Sequence, residues 1–285
     1  MKNLESNPKE KLQRARRGKR LIKSYDIVGD IAIIRVQKHL GSKDRIVAQG
    51  IMQTHKHVKT VLRQVGAVSG SFRLRQLKWV AGVKKTETLY KEFGCVFRVD
   101  LERCYFSPRL SFERMRIANM VKPDEIIVNM FAGVGSFSVL MAKHGGSETV
   151  YSIDVNPSAV EFMKENVRMN RVQGQVVPIL GDAKDVIVKH LQNAADRVVM
   201  PLPEKAYEYL DCAIMALKLT GGWIHYYDFE HASKKENLVE KVEARVSEKL
   251  RELGVDFTLP FGRVVRYTGP NWYQLVLDIH IRRKR

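Results

Sequence analysis

The stretch that decides the fold is Ile127-Val-Asn-Met-Phe-Ala-Gly-Val-Gly-Ser136, followed by Val150-Tyr-Ser-Ile-Asp-Val-Asn156. The first apolar run ends in a glycine-rich turn, and the second ends in the carboxylate of Asp154. Gly133 precedes Asp154 by about 20 residues, the length of one strand–helix–strand unit. Glycine lets a cofactor approach the backbone, and a carboxylate at the next strand tip can accept hydrogen bonds from both hydroxyls of a ribose. The pattern therefore predicts a site for an adenosine-containing cofactor.

The details of this pattern favour one cofactor of that class. The turn reads Gly133-Val-Gly-Ser-Phe-Ser138, with serine where a dinucleotide fingerprint has glycine or alanine, and the chain contains no Walker A phosphate loop. A third apolar run closes on Asp182, whose carboxylate can accept from an adenine amino group. These features favour S-adenosylmethionine over a nicotinamide cofactor. The alternative is a generic α/β sheet whose strand ends happen to carry acidic residues.

Charge is the second informative property of the chain. Its 285 residues include 49 Lys and Arg against 31 Asp and Glu, which gives a net charge of +18 and an isoelectric point near 9.8. This excess predicts a polyanionic partner, whereas a surface adapted to solubility or to heat would carry balanced charge. The chain shows no membrane-length apolar run, no secretory signal and, among its three cysteines, no CxxC pair. We therefore expect a cytoplasmic protein that binds nucleic acid, without a metal site or a membrane contact.

The chain divides by composition into three parts. Residues 1–22 read as a basic arm, residues 23–122 as a small α+β domain that faces RNA together with a linker, and residues 123–285 as a catalytic domain of alternating strands and helices. The alternation predicts a doubly wound parallel sheet of seven strands that ends in an antiparallel pair. Its expected strands are 126–130, 149–153, 175–179, 196–200, 221–227, 256–266 and 272–282, and its expected helices are 135–144, 157–169, 183–192, 204–217 and 234–253. In the preceding domain the expected elements include strands at 86–91, 95–100 and 103–106 and a helix at 109–121.

Several short motifs resemble those of the archaeal and eukaryotic tRNA guanosine-37 N1-methyltransferases, from about residue 23 to the end of the chain. They are Ser24-Tyr-Asp-Ile-Val-Gly-Asp30, Gly70-Ser-Phe-Arg-Leu-Arg75, Tyr105-Phe-Ser-Pro-Arg-Leu-Ser-Phe-Glu-Arg114, Met130-Phe-Ala-Gly-Val-Gly135, Ile153-Asp-Val-Asn-Pro157, Pro203-Glu-Lys-Ala206 and Gly221-Gly-Trp-Ile-His-Tyr-Tyr227. The resemblance implies a class I, Rossmann-like methyltransferase that transfers a methyl group from S-adenosylmethionine to the guanosine beside the tRNA anticodon. We expect the enzyme to be a monomer.

The chemistry of guanine gives two of the matched residues a role. N1 of guanine carries a proton at neutral pH, so a base must remove it, and the negative charge that builds on O6 needs a nearby cation. The resemblance implies that Glu113 is the general base and that Arg73 is the cation at O6. The plainer interpretations are a helix-surface ion pair for Glu113 and phosphate binding for Arg73 and Arg75.

The resemblance also implies two sets of binding residues. For the cofactor they are Tyr105, Phe131, Gly133, Gly135, Asp154, Asp182 and Pro201, and for the RNA they are Arg75, Arg109, Arg114 and Pro203. The aromatic pair Tyr105 and Phe106 would place a ring beside the cofactor. A core aromatic at a strand end is the alternative for Phe106.

The chain departs from the family pattern in three ways. Asn129 stands where the family commonly has Asp, so a charge near the methionine ammonium is absent. Pro201 stands where the family usually has an Asn that contacts the target base, and some members of an archaeal branch with this proline also methylate carbon 7 of 4-demethylwyosine, the tricyclic wyosine precursor. The family's extra N-terminal domain, which reads the tRNA elbow, has no room here.

Two other functions remain open. Relatives that move the aminocarboxypropyl group of the same cofactor lack the Pro-Arg-Leu and Leu-Pro-Glu-Lys-Ala patterns of this chain. A non-catalytic tRNA-binding module would have a decayed cofactor site, but Gly133, Gly135, Asp154 and Asp182 are all present. We therefore expect an enzyme that methylates N1 of guanosine 37 in the tRNA anticodon loop, with C7 of 4-demethylwyosine as an open second acceptor.

Overall fold

The computed structural model describes residues 25–35, 43–66, 68, 70, 72–231 and 236–283. The expected basic arm of residues 1–22 lies outside these ranges, as do the last two residues of the chain. Two compact units divide the chain between Pro108 and Arg109. The expected boundary at residue 123 stays a prediction.

The first unit contains a four-stranded sheet with the order β1-β2-β3-β4. Its elements are β1 Tyr25–Val28, β2 Ile31–Arg35, helix α1 Lys43–Thr54, β3 Thr60–Gln64 and β4 Leu77–Gly82. Val47, Ala48 and Ile51 of α1 pack against Ala32 and Val61 of the sheet in an apolar cluster. A separate antiparallel hairpin follows, formed by β5 Glu87–Glu92 and β6 Cys95–Asp100.

The second unit is built on a seven-stranded sheet with the order β12-β13-β11-β10-β7-β8-β9. Its strands are β7 Ile126–Asn129, β8 Thr149–Asp154, β9 Val176–Leu180, β10 Arg197–Met200, β11 Gly222–His231, β12 Asp256–Gly269 and β13 Trp272–Arg283. Strands β7 to β11 pair with their neighbours in parallel, whereas β13 pairs antiparallel with both β11 and β12. This arrangement confirms the predicted doubly wound sheet with its terminal antiparallel pair.

Short helices connect these strands. They are α2 Ser111–Met120, α3 Ser136–Leu140, α4 Pro157–Met169, α5 Ala183–Val186, α6 Pro203–Ala206, α7 Leu210–Ala216 and α8 Leu238–Glu252. Helices α3 and α5 continue as π-helical turns over Met141–Gly145 and Ile187–Leu191. The predicted helix 204–217 divides into α6 and α7, with a 3-10 turn at Tyr207–Tyr209 between them. Within the described ranges, every helix is too short or too polar to span a lipid bilayer.

The strand order reverses at β7, because the chain continues to β8 and β9 on one side and returns to β10 and β11 on the other. In open α/β sheets, ligands bind at the carboxyl ends of the strands beside such a reversal. The glycine turn follows β7, Asp154 ends β8, Asp182 follows β9 and Pro201 follows β10. The fold thus places these predicted cofactor residues along one edge of the sheet.

The predicted strand at residues 103–106 is wrong, because a side chain ends the β6 strand. Oδ1 of Asp100 accepts hydrogen bonds from the backbone N–H groups of Glu102 and Arg103, at 2.9 and 3.2 Å. The backbone N–H of Cys104 donates to the carbonyl of Asp100 at 2.9 Å. These bonds satisfy the groups that a continuing strand would offer, so the chain turns after Asp100.

Candidate cofactor and catalytic sites

The glycine turn after β7 is held by the carboxylate of Asp154. Gly133 and Gly135 have φ angles of 56° and 82°, and a Cβ on Gly135 would lie 2.8 Å from Cγ of Met163. Both positions therefore favour glycine. The N–H of Gly133 donates to Oδ2 of Asp154 at 2.7 Å, and the N–H of Asn156 donates to Oδ1 at 2.9 Å. Burial raises the pKa of Asp154, and these two hydrogen bonds oppose the shift.

A buried polar group behind the turn supports a cofactor with a positive end. Nδ2 of Asn129 donates to Oγ of Ser138 at 3.0 Å, and Oγ of Ser152 lies 2.7 Å from the same oxygen. Oδ1 of Asn129 is buried and has no hydrogen-bond partner among the residues that the structure describes. An unsatisfied buried acceptor costs about 1–3 kcal/mol, so a ligand ammonium that donates to it would be stabilised. Together with the two strand-end carboxylates, this acceptor fits S-adenosylmethionine.

Asp182 and Phe131 are brought together by Tyr209, a residue that sequence reasoning missed. Oδ1 of Asp182 caps helix α5 by accepting from the N–H of Lys184 at 2.8 Å, and Oδ2 accepts from the hydroxyl of Tyr209 at 2.7 Å. The rings of Tyr209 and Phe131 pack edge to face, with centroids 5.3 Å apart. Burial and Asp182 raise the pKa of Tyr209, so its hydroxyl stays protonated and donates. No strand end or glycine turn marked Tyr209 in the sequence, because it lies inside a predicted helix.

Pro201 and Pro203 lie between β10 and helix α6. Pro203 is the first residue of α6, where the missing N–H of proline has no cost. The backbone N–H groups of Lys205 and Ala206 donate to the carbonyl of Leu202, both at 3.0 Å. Neither proline offers a hydrogen-bond donor, so this part of the strand edge can contact a ligand through carbonyl oxygens and ring carbons.

The predicted general base, Glu113, is buried on helix α2, with a side chain 2% exposed. Its Oε1 accepts from the hydroxyl of Tyr227 and from Nη2 of Arg116, both at 2.8 Å. Its Oε2 accepts from Nε of Arg116 at 3.1 Å and from Nη2 of Arg263. Glu113 therefore forms ion pairs, as the plainer interpretation expected, but it forms them in a buried position rather than on the helix surface.

These ion pairs begin a chain of buried polar contacts. Arg116 donates to both oxygens of Asp278, at 2.6 and 3.1 Å, and Nδ1 of His225 lies 2.6 Å from Oδ1 of Asp278. Nε2 of His225 lies 2.7 Å from Nη1 of Arg197. Nε and Nη2 of Arg197 donate to the carboxylate of Glu125, at 2.7 and 2.9 Å. Because a guanidinium can only donate, Nε2 of His225 accepts, and Nδ1 carries the proton that is donated to Asp278.

The protonation states of this network are fixed by burial and by its own contacts. Burial lowers the pKa of His225 and keeps the imidazole neutral, although Asp278 opposes the shift. Burial alone would raise the pKa of Asp278, but the hydrogen bonds from His225 and Arg116 outweigh it and lower the pKa to about 2. Burial and then the charge of Glu113 raise the pKa of Tyr227 well above its ordinary value. The carboxylate of Glu113 is thus oriented by donors that keep their protons.

The remaining predicted residues of the first unit lie before β4 and after β6. Arg73 has a φ of 54°, a strained value for a residue with a side chain, and its guanidinium lies 4.7 Å from the ring centroid of Tyr105. Arg75 is buried and donates to the carbonyl of Phe106 at 2.9 Å. Phe106 is itself 2% exposed and packs edge to face on Tyr90. The core interpretation of Phe106 agrees with this burial.

The predicted RNA-binding arginines of the second unit differ in exposure. Arg109 lies in the 3-10 turn before helix α2 and is exposed, whereas Arg114, next to Glu113 in the chain, is 2% exposed. A buried guanidinium suits an active-site cation better than an outer phosphate contact.

Two family models match the chain. The TRM5/TYW2 methyltransferase domain matches residues 88–257, and the TYW2 N-terminal domain matches residues 9–86. The first match alone spans more than half of the chain.

Curated relatives cover nearly the whole chain. The tRNA (guanine(37)-N(1))-methyltransferase Trm5b of Pyrococcus abyssi is 38% identical over 90% of this chain and 74% of its own length. The tRNA 4-demethylwyosine(37)-methyltransferase Taw21 of Saccharolobus solfataricus is 39% identical over 90% of this chain and 93% of its own. A tRNA(Phe) (4-demethylwyosine(37)-C(7)) aminocarboxypropyltransferase of Methanocaldococcus jannaschii is 33% identical over 91% of this chain and 90% of its own.

Solved structures agree with these relatives. Trm5b from Pyrococcus abyssi superposes with a TM-score of 0.80 at 36% identity, over 97% of this chain and 78% of that one. A complex of aTrm5 with tRNALeu superposes with a TM-score of 0.78 at 32% identity, over 98% of this chain and 81% of that one. TYW2 of M. jannaschii in complex with AdoMet superposes with a TM-score of 0.67 at 28% identity, over 92% of this chain and 100% of that one. The resemblance seen in the motifs is confirmed, and the chain belongs to the TRM5/TYW2 methyltransferase family, whose cofactor is S-adenosylmethionine.

Proposed function

We propose that this protein transfers the methyl group of S-adenosylmethionine to N1 of guanosine at position 37 of tRNA. The observation that carries the proposal is the buried, fully oriented carboxylate of Glu113, in the same unit as a complete cofactor edge. The relatives named for this reaction support it, and a relative has been solved with tRNALeu. The net charge of +18 suits an RNA substrate.

The cofactor roles follow from the contacts of the sheet edge. Gly133 and Gly135 let the cofactor approach the backbone, and each oxygen of Asp154 keeps a lone pair for a ribose hydroxyl beside its one backbone donor. We assign the adenine side of the site to Asp182 and Phe131. The remaining assignments to the cofactor are Tyr105 and Pro201.

At the acceptor base, we assign Glu113 to remove the proton from N1. When bound, the cofactor would supply an electrophilic methyl group, whose bond to sulfur would break as the deprotonated nitrogen takes the methyl, with S-adenosylhomocysteine as the leaving group. Arg73 is assigned to the charge that develops on O6, a role for which one donor is worth about 10²–10³-fold in rate. The RNA contacts are assigned to Arg75, Arg109, Arg114 and Pro203.

Two observations favour C7 of 4-demethylwyosine as a second acceptor. Pro201 offers no side-chain donor or acceptor, so the pocket wall after β10 is less polar than with Asn and could accept a larger ring. In addition, the relative Taw21, which is named for methylation of 4-demethylwyosine, is 39% identical to this chain.

One labelling experiment separates these reactions. The protein is incubated with S-adenosylmethionine labelled either in the methyl group or in the carboxyl carbon, and with tRNA that carries guanosine or 4-demethylwyosine at position 37. We expect methyl label in N1-methylguanosine; methyl label in the tricyclic base establishes the second acceptor. Carboxyl label in RNA identifies aminocarboxypropyl transfer, and no transfer despite cofactor binding identifies a binding module.

The proposal describes a cytoplasmic enzyme that acts as a monomer. Sedimentation equilibrium at the micromolar concentrations of the transfer assay checks whether the protein is a monomer. A mass of about 33 kDa is expected from the chain, which is 32.7 kDa. A dimer under those conditions contradicts it.

A further inference from the structure

The edge strand of the four-stranded sheet carries a tryptophan that the first unit does not bury. Trp79 lies on β4, and its side chain is 45% exposed although its ring is the largest apolar group available to a core. Its Nε1 donates to the carbonyl of Gly82 in the same strand at 3.2 Å. The polar end of the indole is thus satisfied locally, and one exposed ring is held in place on the strand.

A cavity of about 320 Å³ lies beside this ring. Its lining combines three apolar side chains with four polar ones: Leu62, Leu77 and Trp79, and Lys84, Lys85, Thr86 and Glu102. The apolar part includes a flat aromatic ring, and the polar part offers both donors and acceptors. This composition suits a flat heterocycle with polar edges better than an aliphatic ligand.

The charged side chains that line the cavity are Lys84, Lys85 and Glu102. The ammonium of Lys85 lies 2.7 Å from Asp30, which compensates it, whereas Lys84 is exposed and forms no ion pair within the described residues. Lys59 is also exposed, and its carbonyl accepts from the N–H of Val83, so it lies across from the end of β4. An exposed ring beside Lys84, which has no ion pair among the described residues, is a combination that binds single-stranded nucleic acid, with a base on the ring and a phosphate on the cation.

We propose that this cavity holds an unpaired nucleobase of the tRNA substrate, stacked on Trp79, with Lys84 at the adjoining phosphate. The inference rests on the proposed function only in taking tRNA as the RNA. Thr86 and Glu102 offer hydrogen bonds to the base edge. A grip of this kind belongs to the first unit alone and needs no part of the cofactor edge.

The test measures the dissociation constant of an unmodified tRNA transcript at several salt concentrations. Trp79→Ala is expected to weaken binding roughly 5- to 150-fold at every salt concentration and to leave the salt dependence unchanged, because stacking carries no charge. Lys84→Ala should make the slope of log K against log salt shallower by about 0.7–0.9, the value of one phosphate contact. Trp272→Ala is the matched control, since Trp272 is 47% exposed on β13 of the second unit.

Wild-type affinity in Trp79→Ala, or an equal loss in Trp272→Ala, overturns the proposal. The circular dichroism spectrum and the thermal unfolding transition of the variant must equal those of the wild type, which shows that it is folded. If Trp79→Ala fails this control, Trp79→Phe replaces it, because phenylalanine keeps a stacking face. The tRNA affinity of Trp79→Phe should stay within a few-fold of the wild type, and a larger loss overturns the proposal. Methyl transfer by the wild-type protein tests the proposed function separately, so wild-type tRNA affinity in Trp79→Ala overturns the cavity and leaves the proposed function standing.

Discussion

Arg263 on β12 donates a hydrogen bond to Oε2 of Glu113, which lies 150 residues earlier in the chain. The side chain of Arg263 is 30% exposed, whereas that of Glu113 is 2% exposed. The inner partner, Arg116, is held in turn by Asp278. Oε2 of Glu113 is therefore bonded to a partly exposed cation, Arg263, while Arg116 holds the carboxylate from within the protein.

Replacing Glu113 by Gln should slow methyl transfer while cofactor and tRNA binding are retained. Removal of a general base typically costs about 10²–10⁴-fold in rate. Single-turnover transfer to a tRNA with guanosine 37 measures the effect. Glu208→Gln is the matched control, because that carboxylate is exposed and pairs only with Lys205 among the described residues. Transfer at the wild-type rate in Glu113→Gln would show that the N1 proton leaves by another route.

The two arginines that contact Glu113 should differ in how much they contribute to the stability of the fold. Arg116→Gln leaves two buried carboxylates, Glu113 and Asp278, without their shared cation, and should destabilise the fold by about 3–5 kcal/mol. Arg263→Gln removes a partly exposed partner, so it should cost no more than about 1 kcal/mol. Urea denaturation measures both. The prediction fails if Arg263→Gln is as unstable as Arg116→Gln.

Arg263→Gln should also transfer methyl groups at least as fast as the wild type in single turnover. Its loss frees a lone pair of Oε2 for the substrate proton, while Tyr227 and Arg116 still orient the carboxylate. The rate at saturating tRNA isolates this step from RNA binding. A loss as large as that of Glu113→Gln would instead show that Arg263 takes part in the reaction.

Buried His225 should make stability depend on pH. In the unfolded chain this histidine takes up a proton below about pH 6.5, whereas burial lowers its pKa in the folded protein. The unfolded state then binds more protons, so the free energy of unfolding falls as pH falls, by up to about 1.4 kcal/mol per unit. We expect His225→Asn, whose amide can still donate to Asp278, to lose this part of the slope between pH 7 and 5. The exposed His190→Asn should keep the wild-type slope.

Asp154→Ala should weaken S-adenosylmethionine binding at least tenfold. Hydrogen bonds to a charged acceptor contribute about 1.5–3 kcal/mol each, and the glycine turn loses its own anchor when the carboxylate is removed. Titration calorimetry measures the affinity, with Asp185→Ala as an exposed acidic control on the neighbouring helix. Unchanged affinity in Asp154→Ala would remove this residue from the cofactor site.

The parts of the fold that could be predicted are those set by neighbouring residues. Gly133, Gly135 and Asp154 lie within one strand–helix–strand unit, so their spacing alone indicates a common site, and the structure places the glycine turn within hydrogen-bond distance of Asp154. The strand predicted at 103–106 failed because Asp100 bonds the next two N–H groups through its side chain, a local effect that alternation of residue types does not reveal.

The parts that could not be predicted join distant positions. Arg263 and Asp278 lie 150 and 162 residues beyond the residues that they contact on helix α2. Tyr209 reaches Asp182 only because the predicted helix breaks at that point. The contact between His225 and Asp278, for example, depends on the register in which β11 pairs with β13. A hydrophobic pattern predicts the face of a strand on which a residue lies but not the residue opposite it.

The C-terminal hairpin has a consequence for the order in which the protein can mature on the ribosome. The strands of the cofactor edge, β7 to β10, are complete once residue 200 has been made, but Arg263 and Asp278 belong to β12 and β13, the last elements of the chain. Until they emerge, Glu113 lacks the hydrogen bond from Arg263, and Nδ1 of His225 lacks the carboxylate of Asp278. A nascent chain can therefore acquire its cofactor edge first, and the contacts around Glu113 and His225 are completed only after residues 256–283 have emerged.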